Sequence, residues 1–151
     1  MTQHRDVVPV MASGSPPSAT AFQVRLPVGT DVAVARLTDA LAAEGFGVVT
    51  RTDLQATFRD KLGLDFRPYL LLGACNPQLA HRALEADPEA GLHLPCPITV
   101  EGDAAGGSMV RLADPAGAAP SGPMAPVAAA AHDRLRRVAD HLRAHARTIA
   151  F

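Results

Sequence analysis

Tryptophan is absent from the 151 residues, and one tyrosine and five phenylalanines are the only other aromatic rings besides histidine. So few rings give no stacking platform for a single strand, and a formal net charge of −1 gives no basic stripe for a phosphate backbone. Cysteine is also scarce: two thiols do not make the disulfide framework of a small secreted domain. No apolar run is long enough to span a bilayer, and the opening stretch, MTQHRDVVPVMASGSPPS, lacks the continuous apolar segment of a signal peptide. GxGxxG, P-loop and GxSxG motifs are missing, as is any carboxylate pair that could be placed in a pocket, and the identity of any cofactor is left unknown. The expectation is a cytoplasmic protein with no nucleic-acid or membrane partner, which meets a small molecule, a metal or a second copy of itself.

What is present has the length of one domain, enough to bury about two thirds of its unfolded surface without disulfides or metal. Residues 1–21 mix Ser, Pro and Gly without a period and read as a disordered tail, leaving 22–151 as a single folded domain. FQVRLPV alternates Phe22, Val24 and Leu26 against polar neighbours, the pattern of a strand that ends at Pro27 or lies at an edge. Thr30 or Asp31 is placed to cap a helix with an apolar stripe of Val34, Leu37 and Leu41. Gly45 stops it, with Phe46 folding back on Leu41. GVVTR is a short strand, and Asp53 caps a second helix that Gly63 ends.

YLLLGAC, Tyr69 to Cys75, is a continuous apolar run that reads as a strand buried on both faces. Asn76-Pro77 is a strong helix start, and Asp87-Pro88 ends that helix. LPCPITVE and SMVRLA read as a hairpin joined by GDAAGG. A long last helix begins among Pro123, Met124 and Pro126. Its stripe runs from Met124 through Val127, Ala131, Leu135, Val138 and Leu142 to Ile149, and its other face carries Arg134, Arg136, Arg137, Arg143 and Arg147.

The chemistry-bearing residues gather between Leu72 and Cys96. Cys75 is expected at the carboxyl end of a strand, one residue before a helix cap, where unpaired N–H groups favour a thiolate. Cys96 lies in a stiff Pro-Cys-Pro segment, with both prolines expected trans. Gly73 permits close approach of a ligand or chain. His81 and His93 lie in the same stretch and could join the thiolates in a soft-metal site, although that needs three or four converging ligands. The competing reading is structural, since free cysteine is among the most buried residue types. His141 and His145 share an i,i+4 spacing but lack the glutamate of a metalloprotease motif, and read as an exposed helix edge.

LLGACNP, ALEADPEAGLHLPC and RLADP, in this order, together with LAAEGFGVVTRTDLQATFRDKLG, resemble the domain-of-unknown-function family numbered 302, over roughly Phe22 to Ala146. The resemblance implies an α+β two-layer sandwich, a mainly antiparallel sheet with helices packed on it and a long C-terminal helix in a helix-grip or TBP-like arrangement, often as a homodimer. The distinctive positions fall on Gly73, Ala74, Cys75, Asn76, Pro77, Leu94, Pro95 and Cys96, and Pro97 stands where the family often has asparagine. The resemblance also implies that the two cysteines are a paired feature. Two functions follow as expectations. One is a thiol-based redox, sulfur-handling or soft-metal protein with Cys75 and Cys96 as catalytic or metal-binding residues and Gly73, Asn76, Pro95 and His93 around a ligand. The other is a non-enzymatic homodimeric binding or regulatory domain with an apolar pocket or protein interface.

Overall fold

The computed structural model describes residues 21–118 and 120–148. Residues 1–20 of the expected tail, and Ile149 at the end of the expected stripe, lie outside the described residues. Among the described residues five strands form one sheet: β1 (Ala21–Leu26), β2 (Gly47–Asp53), β3 (Tyr69–Cys75), β4 (Cys96–Gly102) and β5 (Ser108–Ala113), in the order β1-β5-β4-β3-β2. Every neighbouring pair is antiparallel. Four helices accompany them among the described residues: α1 (Thr30–Ala43), α2 (Leu54–Leu62), α3 (Pro77–Ala86) and α4 (Met124–Thr148).

Period-two alternation sends Val24, Leu26, Leu70, Leu72, Ile98, Val100, Val110 and Leu112 to one face, where all are buried. Against them lie Ala33, Leu37, Ala40 and Leu41 of α1 and Leu135, Val138, Ala139 and Leu142 of α4. Each fully buried leucine in this layer contributes about 1.5–3 kcal/mol through removal of its side chain from water. The arrangement is the α+β two-layer sandwich expected. β1 is an edge strand that stops before Pro27, because proline cannot extend the ladder.

The ends of α1 and α2 show how local sequence sets the chain path. Gly45, at φ 83°, lets its N–H bond to Ala42 O at 3.1 Å and the Phe46 N–H bond to Leu41 O at 2.9 Å, which is the Schellman ending. Asp53 Oδ1 accepts from Ala56 N at 3.1 Å and so caps α2. The start of α1 differs from expectation. Gly29 is its N-cap with no side-chain bond, and Thr30 already lies within the first turn.

Two short segments that sequence patterning leaves as loop are 3-10 turns, at Pro88–His93 and Pro115–Ala118. β3 is also not buried on both faces: Leu71 points away from the helices and is 40% exposed. The apolar run reflects a central strand with one open side. On that side Phe58, Phe66 and Tyr69 form an aromatic chain, with centroids 5.1 and 6.4 Å apart, that links α2 to β3. Among the described residues no helix is long and apolar enough to cross a membrane.

Candidate functional site

The β3 and β4 ends meet in a close backbone contact. A Cβ on Gly73 would collide with the ring of Pro95 and with Thr50 Oγ1, so glycine is what admits the proline at this point. The Leu94–Pro95 peptide bond is cis, not trans as expected from the sequence. Beside this contact Ala74 stands opposite Cys96 in the ladder.

Asn76 is buried and has both ends of its amide occupied. Its Oδ1 accepts from Leu79 N at 3.2 Å and caps α3, while its Nδ2 donates to Glu44 O at 3.2 Å, at the end of α1. Arg134 of α4 donates to the same carbonyl at 3.1 Å, and Arg137 Nε reaches the Glu44 carboxylate at 3.1 Å. Two arginines of the expected basic face thus fasten α4 to the end of α1. Asn76 clasps α3 to the end of α1, and the Glu44 carbonyl is where α4 joins them.

The two cysteines are free and half-buried. Because Cys96 pairs with Ala74, strand alternation puts the Cys96 side chain on the helix side and that of Cys75 on the opposite side. Cys96 packs against the main core. Burial pushes the Cys96 thiol above its ordinary value, and a charge on Cys75 would push it further. Cys96 is therefore a protonated thiol at neutral pH. The pair lies near enough for charge to be felt, with Cβ directions unsuited to a disulfide without backbone movement.

On the helix side, Cys96 stands in the wall of a half-open cavity of about 640 Å³. Its apolar lining comes from Leu79 and Ala83 of α3, Ala90 of the 3-10 turn, and Met124, Val127 and Ala131 of α4. All but Met124 are buried members of a second small core, and Met124 packs against it. The wall also contains Asn76, His93, Leu94, Pro95, Cys96 and Pro97, so four of the six residues nominated from the sequence meet here. Gly73 and Cys75 do not line it.

Sequence reasoning passed over Asp114 and Asp87, which also line the cavity. Asp114 follows β5, where continuation of the ladder puts it opposite Cys96. Its Oδ1 accepts from Ala116 N at 2.9 Å and lies 2.7 Å from His132 Nδ1, which donates to the carboxylate. His132 in turn packs on Phe22, with ring centroids 5.3 Å apart. The signal for Asp114 was present in RLADP, the third motif of the resemblance. The cavity thus joins all three quoted motifs.

His81 is far from this role: its side chain is 77% exposed and faces Glu85 across one helical turn at 3.5 Å. His141 and His145 stack on the exposed side of α4, with centroids 4.2 Å apart. Among the described residues no three His, Cys, Asp or Glu side chains are arranged to hold a metal ion. A centre of Cys75, Cys96, His81 and His93 has no counterpart there.

A family model for "Domain of unknown function DUF302" matches residues 22–142. The chain belongs to the DUF302 family. A crystal structure of an uncharacterized conserved DUF302 protein from Bacillus stearothermophilus is similar to it, with 29% sequence identity and a TM-score of 0.74. The match covers 83% of this chain and 100% of the other. No curated protein matches the sequence significantly. The DUF302 match takes in the whole of β1 to β5 apart from Ala21, and α4 as far as Leu142.

Proposed function

We propose that this DUF302 domain is a non-enzymatic binding module for a small, largely apolar molecule. The observation that carries the reading is the half-open cavity of about 640 Å³, at which the GACNP, LPC and RLADP motifs converge. Ligand sites are typically clefts of about 300–1,000 Å³ with apolar walls and a few polar groups, and this lining has that character. Gly73 and Asn76 act through the scaffold: one seats Pro95, the other clasps α3 to the end of α1. Pro95, His93 and Cys96 belong to the wall.

Nile red, a neutral apolar dye, is a suitable probe. Saturable binding at one site per chain is expected, lost in Ala80→Phe, which fills the cavity from the partly buried side of α3, and kept in Cys96→Ser. Binding that is undiminished in folded Ala80→Phe would overturn the reading.

The second reading is the thiol pair, as a redox, sulfur-handling or soft-metal element. It is favoured by the two cysteines lying on adjacent strands, close enough for a charge on Cys75 to raise Cys96. A disulfide joining Cys75 and Cys96 after mild oxidation, or a persulfide on one of them after treatment with a polysulfide that supplies the sulfur, found by peptide mass mapping, would support it. The homodimer belongs to both readings: the open side of the sheet, with exposed Leu71 and half-buried Tyr69 and Met109, is the surface a second copy would cover. Light scattering distinguishes one chain from two.

A further inference from the structure

We propose that the molecule taken by the cavity is an apolar amine, with its cationic group against Asp114 and Asp87 and its hydrocarbon part on Leu79, Met124 and Val127. The inference rests on the cavity being a ligand site and names the class of ligand. Its ground is charge complementarity. Asp87, Glu89 and Asp114 all line the cavity, and no lysine or arginine does so among the described residues. Arg134 and Arg137 are engaged by Glu44 and Arg111 by Glu101, while Arg82, beside Ala83, is exposed on α3 and does not line the cavity.

The two aspartates are also held in a way that leaves acceptor capacity. Asp87 Oδ1 accepts from Glu89 N at 2.9 Å, and Asp114 Oδ1 takes both Ala116 N and His132 Nδ1. Each Oδ2 is left without a partner among the described residues. An ionised carboxylate has about four lone-pair sites, so each aspartate keeps room for a donor after its structural bonds are made. The Asp114 side chain is only 12% exposed, so a charge there is poorly hydrated and favours a cation that brings its own N–H donors. An anion would meet three like charges and no lysine or arginine among the described residues, with His132 already engaged by Asp114 and His93 the one basic side chain of the described lining. A neutral alcohol would gain the apolar contacts but only an uncharged hydrogen bond.

Three probes of equal chain length, hexylamine, 1-hexanol and hexanoate, separate these cases when titrated into the full chain at pH 7 by calorimetry. Hexylamine is expected to bind about tenfold more tightly than hexanol, the gain of one partly screened charge-assisted hydrogen bond, with hexanoate weakest. The preference should shrink in high salt, and in Asp87→Asn, whose amide oxygen keeps the bond to Glu89 N. Asp114→Asn, which keeps an acceptor for Ala116 N, is the second variant, each checked for an unchanged melting temperature. Equal binding of amine and alcohol, tighter binding of hexanoate, or a preference unchanged in both variants overturns the cationic ligand while leaving the apolar site standing. Failure of all three probes to bind overturns the site as well.

Discussion

Gly73 carries the most specific constraint at the level of single residues. Because Pro95 and Thr50 occupy the space of its missing Cβ, Gly73→Ala must displace one strand or the other. A loss of about 2–3 kcal/mol is expected, as for overpacking in a close-packed site, read from the urea midpoint at unchanged slope. An unshifted midpoint would show that the contact is looser than described. Asn76 allows a finer dissection. Asn76→Asp keeps the acceptor that caps α3 and loses the donor to Glu44 O, whereas Asn76→Ala loses both. The alanine variant should fall by about 1–2 kcal/mol for the cap, since Glu44 O keeps its bond from Arg134, whereas the aspartate variant keeps the cap but sets a buried carboxylate against that carbonyl and should fall at least as far.

Cys96, whose thiol burial pushes up, should alkylate at neutral pH more slowly than cysteine in an unfolded peptide. A Cys96 rate equal to that of the peptide would contradict its burial. The sequence carried much of this in plain form: Gly73, Asn76, Pro95 and Cys96 stood out by their motifs. It attached the wrong emphasis to some of them. Cys75 precedes a helix cap as expected, yet the alternation of β3 takes its side chain away from the cavity, and only the register with β4 reveals that.

At the scale of elements, the strands and helices follow from signals that act within a few residues: alternation in β1 and β5, Asp53 and Asn76 as caps, Gly45 and Gly63 as stops. The 3-10 turns were not legible because Pro88–His93 and Pro115–Ala118 have loop composition and are shaped by what they pack beneath. The exposed side of Leu71 was hidden for a similar reason, since a run of apolar residues does not say which face a helix layer covers. The outer face carries instead a charged row of Arg67, just before β3, Glu101 of β4 and Arg111 of β5. Burial works against the charge of Glu101, but hydrogen bonds and charges from Arg67 and Arg111 outweigh it and hold its carboxyl below the ordinary value of 4.5.

Asp103 is likewise lowered, first by the Gly107 N–H and then by Arg25 and Ala105. Groups lowered by folding stabilise the native state above their unfolded value, and that stabilisation is lost as pH falls through the folded value. The domain should therefore lose stability steadily on acidification below about pH 4.5, and Glu101→Gln should be less stable at pH 7 but flatter across the acid range. Parallel pH profiles for parent and variant would contradict the assignment.

At the scale of the whole fold, the described residues leave one end of the sheet incompletely covered. α1 and the carboxyl half of α4 close the main core, while α3, the turn at Pro88–His93 and the amino half of α4 build a second, smaller core that does not fill the space above Cys96. The cavity was not legible in the sequence because its lining comes from widely separated segments, and much of it is alanine, which marks space only when its neighbours are known. Placing a methyl-labelled chain under increasing 1-hexanol and following its methyl resonances tests this architecture and its use together. Saturable shifts are expected at Leu79, Leu94, Met124 and Val127, with Leu71 and Met109 on the other side of the sheet unmoved. Shifts concentrated at Leu71 and Met109, or none at the cavity methyls up to the solubility of the alcohol, would contradict a ligand site between α3 and α4.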